Sequence, residues 1–174
     1  MKKNKPRLRV ITGNGKGKTT SAMGIMAVAA TERQRIYFGQ FMKHGDYSEI
    51  AMLRRAFPEI SIDQYDGDFV LAGSPREVDK QRAELGLERA LAAVQSGEYD
   101  LVVLDEINVA LFLELIGLEQ VLGLIDKTDC QTDLVLTGRY AASEVLARAD
   151  CVYEMLQVKH YFYEGVAARE GIEY

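Results

Sequence analysis

The stretch RVITGNGKGKTTSAMG, residues 9–24, constrains the fold of this 174-residue chain more than any other feature. Apolar residues typical of a strand run into a loop with glycine at every second position, and a helical pattern follows. Such a loop curls so that successive backbone N–H groups face one anion, and the helix N-terminus adds further donors. The usual phosphate loop reads G-x-x-x-x-G-K-[ST]. Here Thr12 stands where the first glycine belongs, so the loop is one residue short.

Eight consecutive residues of this stretch are candidate phosphate contacts. Lys18 would neutralise phosphate charge, and the Thr19 hydroxyl would bind a magnesium ion. Thr20 reads either as a second hydroxyl for phosphate or as a residue of the first helical turn. A tight strand-to-helix connection is the competing interpretation, but three alternating glycines followed by Lys-Thr-Thr disfavour it. The candidates are Gly13, Asn14, Gly15, Lys16, Gly17, Lys18, Thr19 and Thr20.

Strand and helix patterns alternate along the rest of the chain. They predict strands at 8–12, 35–41, 61–65, 101–104, 133–137 and 151–158, and helices at 18–30, 75–96, 118–127 and 142–148. Pro75 suits the first turn of its helix, and Gly97 suits the end of that helix. Apart from the strand at 61–65, residues 42–73 read as long loops over the sheet edge that carries the site. This order predicts one α/β domain, a parallel sheet with helices on both faces, in a P-loop NTPase-like (RecA-like) fold.

A second motif, YDLVVLDEINVAL at 99–111, places two carboxylates directly after a buried strand. In a parallel sheet that strand end lies beside the phosphate loop, because ligands bind at the carboxyl ends of such strands. Asp105 and Glu106 would hold Mg²⁺ or Mn²⁺ there, directly or through water. In a hydrolase, the second acid would instead orient an attacking water. Arg139 follows another strand end, where it either reaches the phosphates or lies on the surface.

Composition narrows the class of protein. A net charge of −5 argues against nucleic-acid and membrane binding. Residues 1–7 read as a flexible basic leader and 8–174 as the folded domain, with neither a signal peptide nor a membrane span recognisable. Cys130 and Cys151 have no metal-binding spacing, so we expect reduced, buried thiols in a cytoplasmic protein.

Taken together, these motifs resemble those of the P-loop ATP:corrinoid adenosyltransferases. TGNGKGKTT at 12–20 is similar to that family's shortened phosphate loop, and GQFMKHG at 39–45 resembles its Gln-Phe-x-Lys-Gly stretch with His44 inserted. The 99–111 motif matches closely. LVLTGR at 134–139 and the ending VKHYFYEGVAAREGIEY at 158–174 are also similar. The similarity extends over 8–174 and is weakest at 46–96.

The resemblance implies a function and a set of roles. ATP would lie in the short loop in the reverse of the usual sense, so that a corrinoid Co(I) attacks its 5′-carbon and expels triphosphate. Residues 14–20 would hold phosphates, Thr19 and Glu106 would bind the metal, and Asp105 would support it from the neighbouring position. Lys18, Thr19 and Glu106 are therefore the candidate catalytic residues. A homodimer is implied, together with a flavodoxin-like electron-donor protein as a possible partner, in adenosylcobalamin synthesis or salvage.

One departure from the family concerns the corrinoid. Known members carry Phe-x-Trp in the middle segment, whereas this chain has no tryptophan. Phe69 is the counterpart of the first aromatic, with a core residue as the competing interpretation. Two other functions are compatible with the same motifs. A phosphoryl-transfer enzyme, such as a small-molecule kinase or ATPase, would use the same loop and acids to form ADP, and a nucleotide-dependent switch would perform no covalent chemistry.

Overall fold

A computed structural model describes residues 7–43, 48–65, 76–167 and 169 of the chain. Within those ranges the strands are β1 (Leu8–Thr12), β2 (Ile36–Phe41), β3 (Ser61–Tyr65), β4 (Leu101–Asp105), β5 (Asp133–Thr137) and β6 (Cys151–Glu154). The helices are α1 (Lys18–Thr31), α2 (Ser48–Ala56), α3 (Glu77–Gln95), α4 (Ile107–Phe112), α5 (Leu118–Asp126) and α6 (Ser143–Arg148), followed by a 3-10 turn, Tyr161–Glu164.

The strands form one sheet in the order β3-β2-β4-β5-β1-β6, and every pairing is parallel. One strand, β5, separates the strand before the phosphate loop from the strand that ends in the acidic pair. Because every pairing is parallel, the carboxyl ends of these strands lie at the same edge of the sheet. This brings the phosphate loop and the acidic pair to that edge. The predicted parallel α/β fold of the P-loop NTPase type is confirmed.

Alternating side chains of the strands enter two separate apolar cores. Val102 and Leu104 pack with α3, α4, α5 and α6 on one face, whereas Leu101 and Val103 pack with α1 and α2 on the other. Every residue of β4 is buried, as expected for a strand with both faces covered. The predicted helices on both faces of the sheet are thus confirmed.

Four predictions are wrong in detail. Residues 48–56, expected to be loop, form α2, because Ile50 and Leu53 bury one face of the helix in the core. A second short helix, α4, follows the acidic pair directly. The last strand ends at Glu154 rather than at 158. The cysteines are not buried: Cys130 is exposed and Cys151 is half-buried.

The long third helix begins at Glu77 and ends at Gln95. Gly97 follows in a left-handed conformation, with φ of 66°, which confirms it as the residue that terminates the helix. Pro75, expected in the first turn, lies outside the described residues. Among the helices that the structure describes, each is too short or too polar to cross a bilayer.

Candidate active site

The phosphate loop is held tightly against the segment that follows β6. The Gly15 N–H donates to the Met155 carbonyl at 2.7 Å, and the Met155 N–H donates to the Thr12 carbonyl at 2.8 Å. A Cβ on Gly13 would lie 2.5 Å from the Met155 carbonyl oxygen, and Gly13 has φ of 95°. Glycine is therefore required at this position, both for its conformation and for the close approach of the two backbones. The Gly15 N–H is engaged within the protein, so it is not one of the donors that face an anion.

Lys18 and Thr19 begin α1 where the loop ends. Gly17, with φ of 108°, caps the helix, and Lys18 is buried with its ammonium donating to the Gly15 carbonyl at 2.7 Å. Burial lowers the pKa of Lys18, although the Glu106 carboxylate opposes that shift. The lysine side chain thus turns back toward its own loop, so its charge lies beside the loop backbone.

The Asp105 carboxylate is fully buried at the end of β4 and accepts hydrogen bonds on both oxygens. Its Oδ1 accepts from the Thr19 hydroxyl at 2.9 Å and from the Thr137 hydroxyl at 2.6 Å. Its Oδ2 accepts from the Gln40 amide at 3.0 Å and from the Lys43 ammonium at 3.2 Å. Donors from several elements fix this carboxylate, because each satisfies part of a charge that burial would otherwise make costly.

A row of polar side chains runs across neighbouring strands at this edge. Gln40 lies beside Asp105 in the β2–β4 register and beside Gln64 in the β2–β3 register. The Gln64 amide donates to the Gln40 carbonyl oxygen at 3.0 Å, and Gln40 in turn donates to Asp105. No role for Gln40, Gln64 or Thr137 was predicted from the sequence. For Gln40 and Thr137, the available signal was a polar residue at or next to the carboxyl end of an apolar strand.

Glu106 occupies the first position after β4 in a left-handed conformation, with φ of 59°. Its N–H donates to the Thr137 hydroxyl at 3.0 Å, which anchors the turn. A non-glycine residue in this region is uncommon, and such residues concentrate at functional sites. Burial and the adjacent Asp105 carboxylate raise the pKa of Glu106, against the opposing effect of the cations Lys43, Lys18 and Arg139.

The site also contains a second ammonium that was not predicted from the sequence. Lys43, just beyond β2, lies between Asp105 and the Glu49 carboxylate of α2, with Nζ 3.2 Å from an oxygen of each. Its Nζ is also 3.4 Å from the Thr19 hydroxyl. Burial acts to lower the pKa of Lys43, but the nearby carboxylates Asp105, Glu49 and Glu106 raise it overall. In the sequence, Lys43 is part of the GQFMKHG stretch that resembles the family, but nothing else about its position predicts a role in the site.

Arg139 is exposed and follows Gly138 at the end of β5. Its positive charge acts to lower the pKa of both Lys18 and Glu106, so Arg139 lies at the same edge of the sheet as these residues. Tyr140, the next residue, stacks against Phe112 of α4 with ring centroids 4.3 Å apart. This aromatic pair lines a groove of about 580 Å³ together with residues of α3 and of the connection between α4 and α5. Neither aromatic was singled out from the sequence.

The structure brings most of the sequence-predicted residues to one edge of the sheet. Asn14, Lys16 and Thr20 are exposed on the loop and the first turn of α1, whereas Lys18, Thr19, Asp105 and Glu106 converge below them. The predicted corrinoid contact Phe69 lies outside the described residues, as does His44. The oxygen atoms of Thr19, Asp105 and Glu106 are the kind of ligand that Mg²⁺ prefers, and that ion also retains water and phosphate ligands. The donor set fits magnesium.

These features together define a P-loop nucleotide-binding protein with an acidic strand end beside its phosphate loop. A model of the family described as ATP:corrinoid adenosyltransferase BtuR/CobO/CobP matches residues 4–174. The chain belongs to this family. Membership confirms the predicted family and enzyme class, and it favours adenosyl transfer over the phosphoryl-transfer alternative.

Related proteins support the same assignment. A corrinoid adenosyltransferase of Pseudomonas aeruginosa is 35% identical over 168 residues, which cover 96% of this chain and 83% of the relative. A corrinoid adenosyltransferase of Escherichia coli strain K12 is 31% identical over 167 residues, covering 95% and 84%. Corrinoid adenosyltransferase CobA of Salmonella typhimurium is 29% identical over 176 residues, with the same two shares of 95% and 84%.

Proposed function

We propose that this protein transfers the 5′-deoxyadenosyl group of ATP to the Co(I) centre of a reduced corrinoid and releases triphosphate. The observation that carries the proposal is the shortened phosphate loop, whose Lys18 and Thr19 lie against the Asp105–Glu106 pair. The chain's membership of the corrinoid adenosyltransferase family gives this arrangement its chemistry.

The proposed reaction needs no nucleophile from the protein. The Co(I) electron pair forms the bond to the 5′-carbon, while the bond between that carbon and the triphosphate oxygen breaks. Its electron pair leaves with the triphosphate, so charges and atoms balance without a proton. The chain's own residues align the reactants and stabilise the charge that develops on the leaving group. Lys18 supplies positive charge, and the N-terminal end of α1 supplies N–H donors.

We assign the metal to Thr19 and Glu106, with Asp105 fixing the Thr19 hydroxyl through their 2.9 Å hydrogen bond. Asp105 already accepts four hydrogen bonds from side chains, so it is better suited to orienting other groups than to binding the ion itself. When bound, Mg²⁺ would neutralise phosphate charge, and Mn²⁺ would serve in the same way. Gly13, Asn14, Lys16, Gly17 and Thr20 remain the proposed phosphate contacts of the loop, with Arg139 at its border.

Further proposals concern the setting of the enzyme. A homodimer is supported by apolar side chains exposed at and beyond the edge strand β6, among them Val152, Leu156 and Val158. Formation of Co(I) needs a strong reductant, which supports a cytoplasmic location and an electron-donor partner such as a flavodoxin-like protein. The reaction would serve adenosylcobalamin synthesis or salvage.

The test is an anaerobic reaction of the purified protein with ATP, Mg²⁺ and chemically reduced cobalamin. We expect the Co(I) absorbance to disappear and intact triphosphate to form in equal amount with adenosylated corrinoid. Lys18→Ala should lower kcat/KM by about a hundredfold or more, whereas the matched control Lys127→Ala, at an exposed lysine after α5, should leave it unchanged. Release of ADP or free phosphate with the corrinoid unaltered would instead establish phosphoryl transfer.

A further inference from the structure

Lys43 is poised between the metal-site residues and the Glu49 carboxylate of α2. Among its contacts are Asp105 Oδ2 and Glu49 Oε1, each at 3.2 Å, and Thr19 Oγ1 at 3.4 Å. Its side chain is 20% exposed, that of Glu49 is 23% exposed and that of Asp105 is fully buried. One ammonium therefore lies partly desolvated among two carboxylates and the hydroxyl assigned to the metal.

Pairing with Asp105 does not by itself account for this lysine. Asp105 receives hydrogen bonds from Thr19, Thr137 and Gln40 without it. Ion pairs that retain contact with solvent contribute little to stability, because desolvation and lost side-chain freedom offset the attraction. The second carboxylate, Glu49, comes from a different element, α2, and lies 3.2 Å from the same ammonium. This arrangement positions a charge more than it stabilises a fold.

We propose that Lys43 is a further binding residue for the triphosphate chain of ATP, a second ammonium beside Lys18. Its Nζ lies 3.4 Å from the hydroxyl of Thr19, the residue directly after Lys18. Phosphate oxygens that approach Thr19 therefore also come within reach of Lys43. The lysine stem is long and flexible, which lets the ammonium turn from Glu49 toward a ligand without backbone movement. This inference rests on the proposed phosphate loop.

The chemistry of the proposed reaction gives a second cation a purpose. When the bond between the 5′-carbon and oxygen breaks, the triphosphate gains the electron pair and one further negative charge. A positively charged group held in place beforehand stabilises that charge without reorganising at the moment of reaction. Lys18 donates to the Gly15 carbonyl of its own loop, so it would contact the part of the triphosphate that lies in that loop. Lys43 approaches from the β2 side of the sheet.

The experiment measures binding of inorganic tripolyphosphate by calorimetry with EDTA present, so that neither metal nor corrinoid contributes. We expect Lys43→Met, which retains the apolar stem without the charge, to bind about tenfold more weakly than the natural chain. Glu49→Gln should bind about twofold to fivefold more tightly, because the ammonium is no longer shared. When Glu49→Gln is combined with Lys43→Met, its effect on tripolyphosphate affinity should become smaller, because the lysine through which it acts is absent.

The outcomes separate the inference from the proposed function. If the natural chain fails to bind tripolyphosphate, or if Lys18→Ala binds it equally well, then the phosphate loop assignment fails and the inference fails with it. If Lys18→Ala weakens binding but Lys43→Met does not, then Lys43 is only a structural partner of Asp105 and the inference alone is overturned. Should Lys43→Met not fold, Glu49→Gln decides, since unchanged tripolyphosphate affinity in that variant contradicts the inference.

Discussion

The Asp105 carboxylate accepts hydrogen bonds from side chains of α1, β2, β5 and the segment after β2. These donors leave the carboxylate a single orientation, and through it they fix the Thr19 hydroxyl. Glu106, one residue later, is turned by its left-handed backbone and carries the charge that burial penalises. The two adjacent acids thus have different surroundings, which suits them to the different roles proposed for them.

The raised pKa of Glu106 predicts a specific dependence of stability on pH. Its ordinary value is 4.5, and in the folded protein it is higher. The folded state therefore retains a proton at pH values where the unfolded state has lost it, so the free energy of unfolding falls as the pH rises from about 4.5 through the raised value. Without metal and nucleotide, Glu106→Gln should melt at a higher temperature than the natural chain at pH 8. We expect a gain of about 4 °C for each tenfold difference in proton affinity between the folded and unfolded states.

Thermal unfolding in EDTA between pH 4 and pH 8 tests this expectation. The difference between Glu106→Gln and the natural chain should vanish as the pH falls below about 4.5, because Glu106 is then protonated in both the folded and the unfolded state. The exposed Glu88→Gln in α3 serves as the control and should melt like the natural chain throughout. An equal or lower melting temperature for Glu106→Gln at pH 8 would contradict the assignment of an unfavourable charge.

Residues within a contiguous motif were predictable from sequence, whereas those joined by register were not. Lys18, Thr19, Asp105 and Glu106 belong to local patterns whose chemistry depends on spacing along the chain. Gln40 becomes a partner of Asp105 only because β2 pairs with β4 so that the two residues lie side by side. Nothing in the sequence alone fixes that pairing, which is decided by packing of whole strands.

At the scale of elements, α3 approaches the sheet closely because it carries a glycine at the contact. A Cβ on Gly86 would lie 2.5 Å from Tyr65 Cδ2 and 2.9 Å from Phe41 Cε1. The Tyr65 ring is held in turn by Phe41, with centroids 5.1 Å apart, and by a hydrogen bond to the Tyr37 hydroxyl. Both aromatic rings are buried, so neither can move aside.

This contact predicts opposite effects for two helical glycines. Gly86→Ala should lower the free energy of unfolding by about 1–3 kcal/mol, because the added methyl group collides with the Tyr65 ring. Gly24→Ala, in the middle of α1, should raise it by about 0.5–1 kcal/mol, because nothing lies within 4 Å of the new methyl group and alanine favours the helix. Urea unfolding followed by circular dichroism measures both. Equal effects at the two positions would contradict the packing described for α3.

The missed elements share a physical cause. α2 and α4 have nine and six residues, so neither presents enough turns for helical spacing to stand out. Isolated helices of that length are marginal in water and form mainly because tertiary contacts support them. In α2 that support comes from Ile50 and Leu53 in the core, and in α4 from Ile107 and Ala110. The long helices and buried strands were predictable because their patterns repeat.

At the scale of the whole molecule, β1 pairs with β5 on one side and β6 on the other. The strand that leads into the phosphate loop is therefore held by residues more than 120 positions later in the chain. Met155 extends that support into the loop itself through its contacts with Gly15 and Thr12. Integrity of the loop thus depends on the end of the sheet that is most distant in sequence.

Truncation tests this dependence. A chain ending after Asp150 lacks β6 and Met155, and we expect it to have a lower free energy of unfolding and at least about tenfold weaker ATP binding. A chain ending after Val158 keeps both and serves as the control that should bind ATP like the full chain. Calorimetry and circular dichroism on the two proteins provide the comparison. If the shorter chain binds ATP as tightly as the control, the support from Met155 is unnecessary.

The dependence of the loop on Met155 has a consequence for how the protein is made. The glycines of the phosphate loop and Lys18 leave the ribosome early in synthesis. The Met155 carbonyl that accepts a hydrogen bond from Gly15 is made much later. Residue 155 must therefore have left the ribosome before the loop can take the conformation that Met155 supports. Until then, the emerging chain contains the phosphate-loop motif without the hydrogen bonds to Met155. ATP would then stabilise the chain only after β6 has joined the sheet, and would not guide its first folding steps.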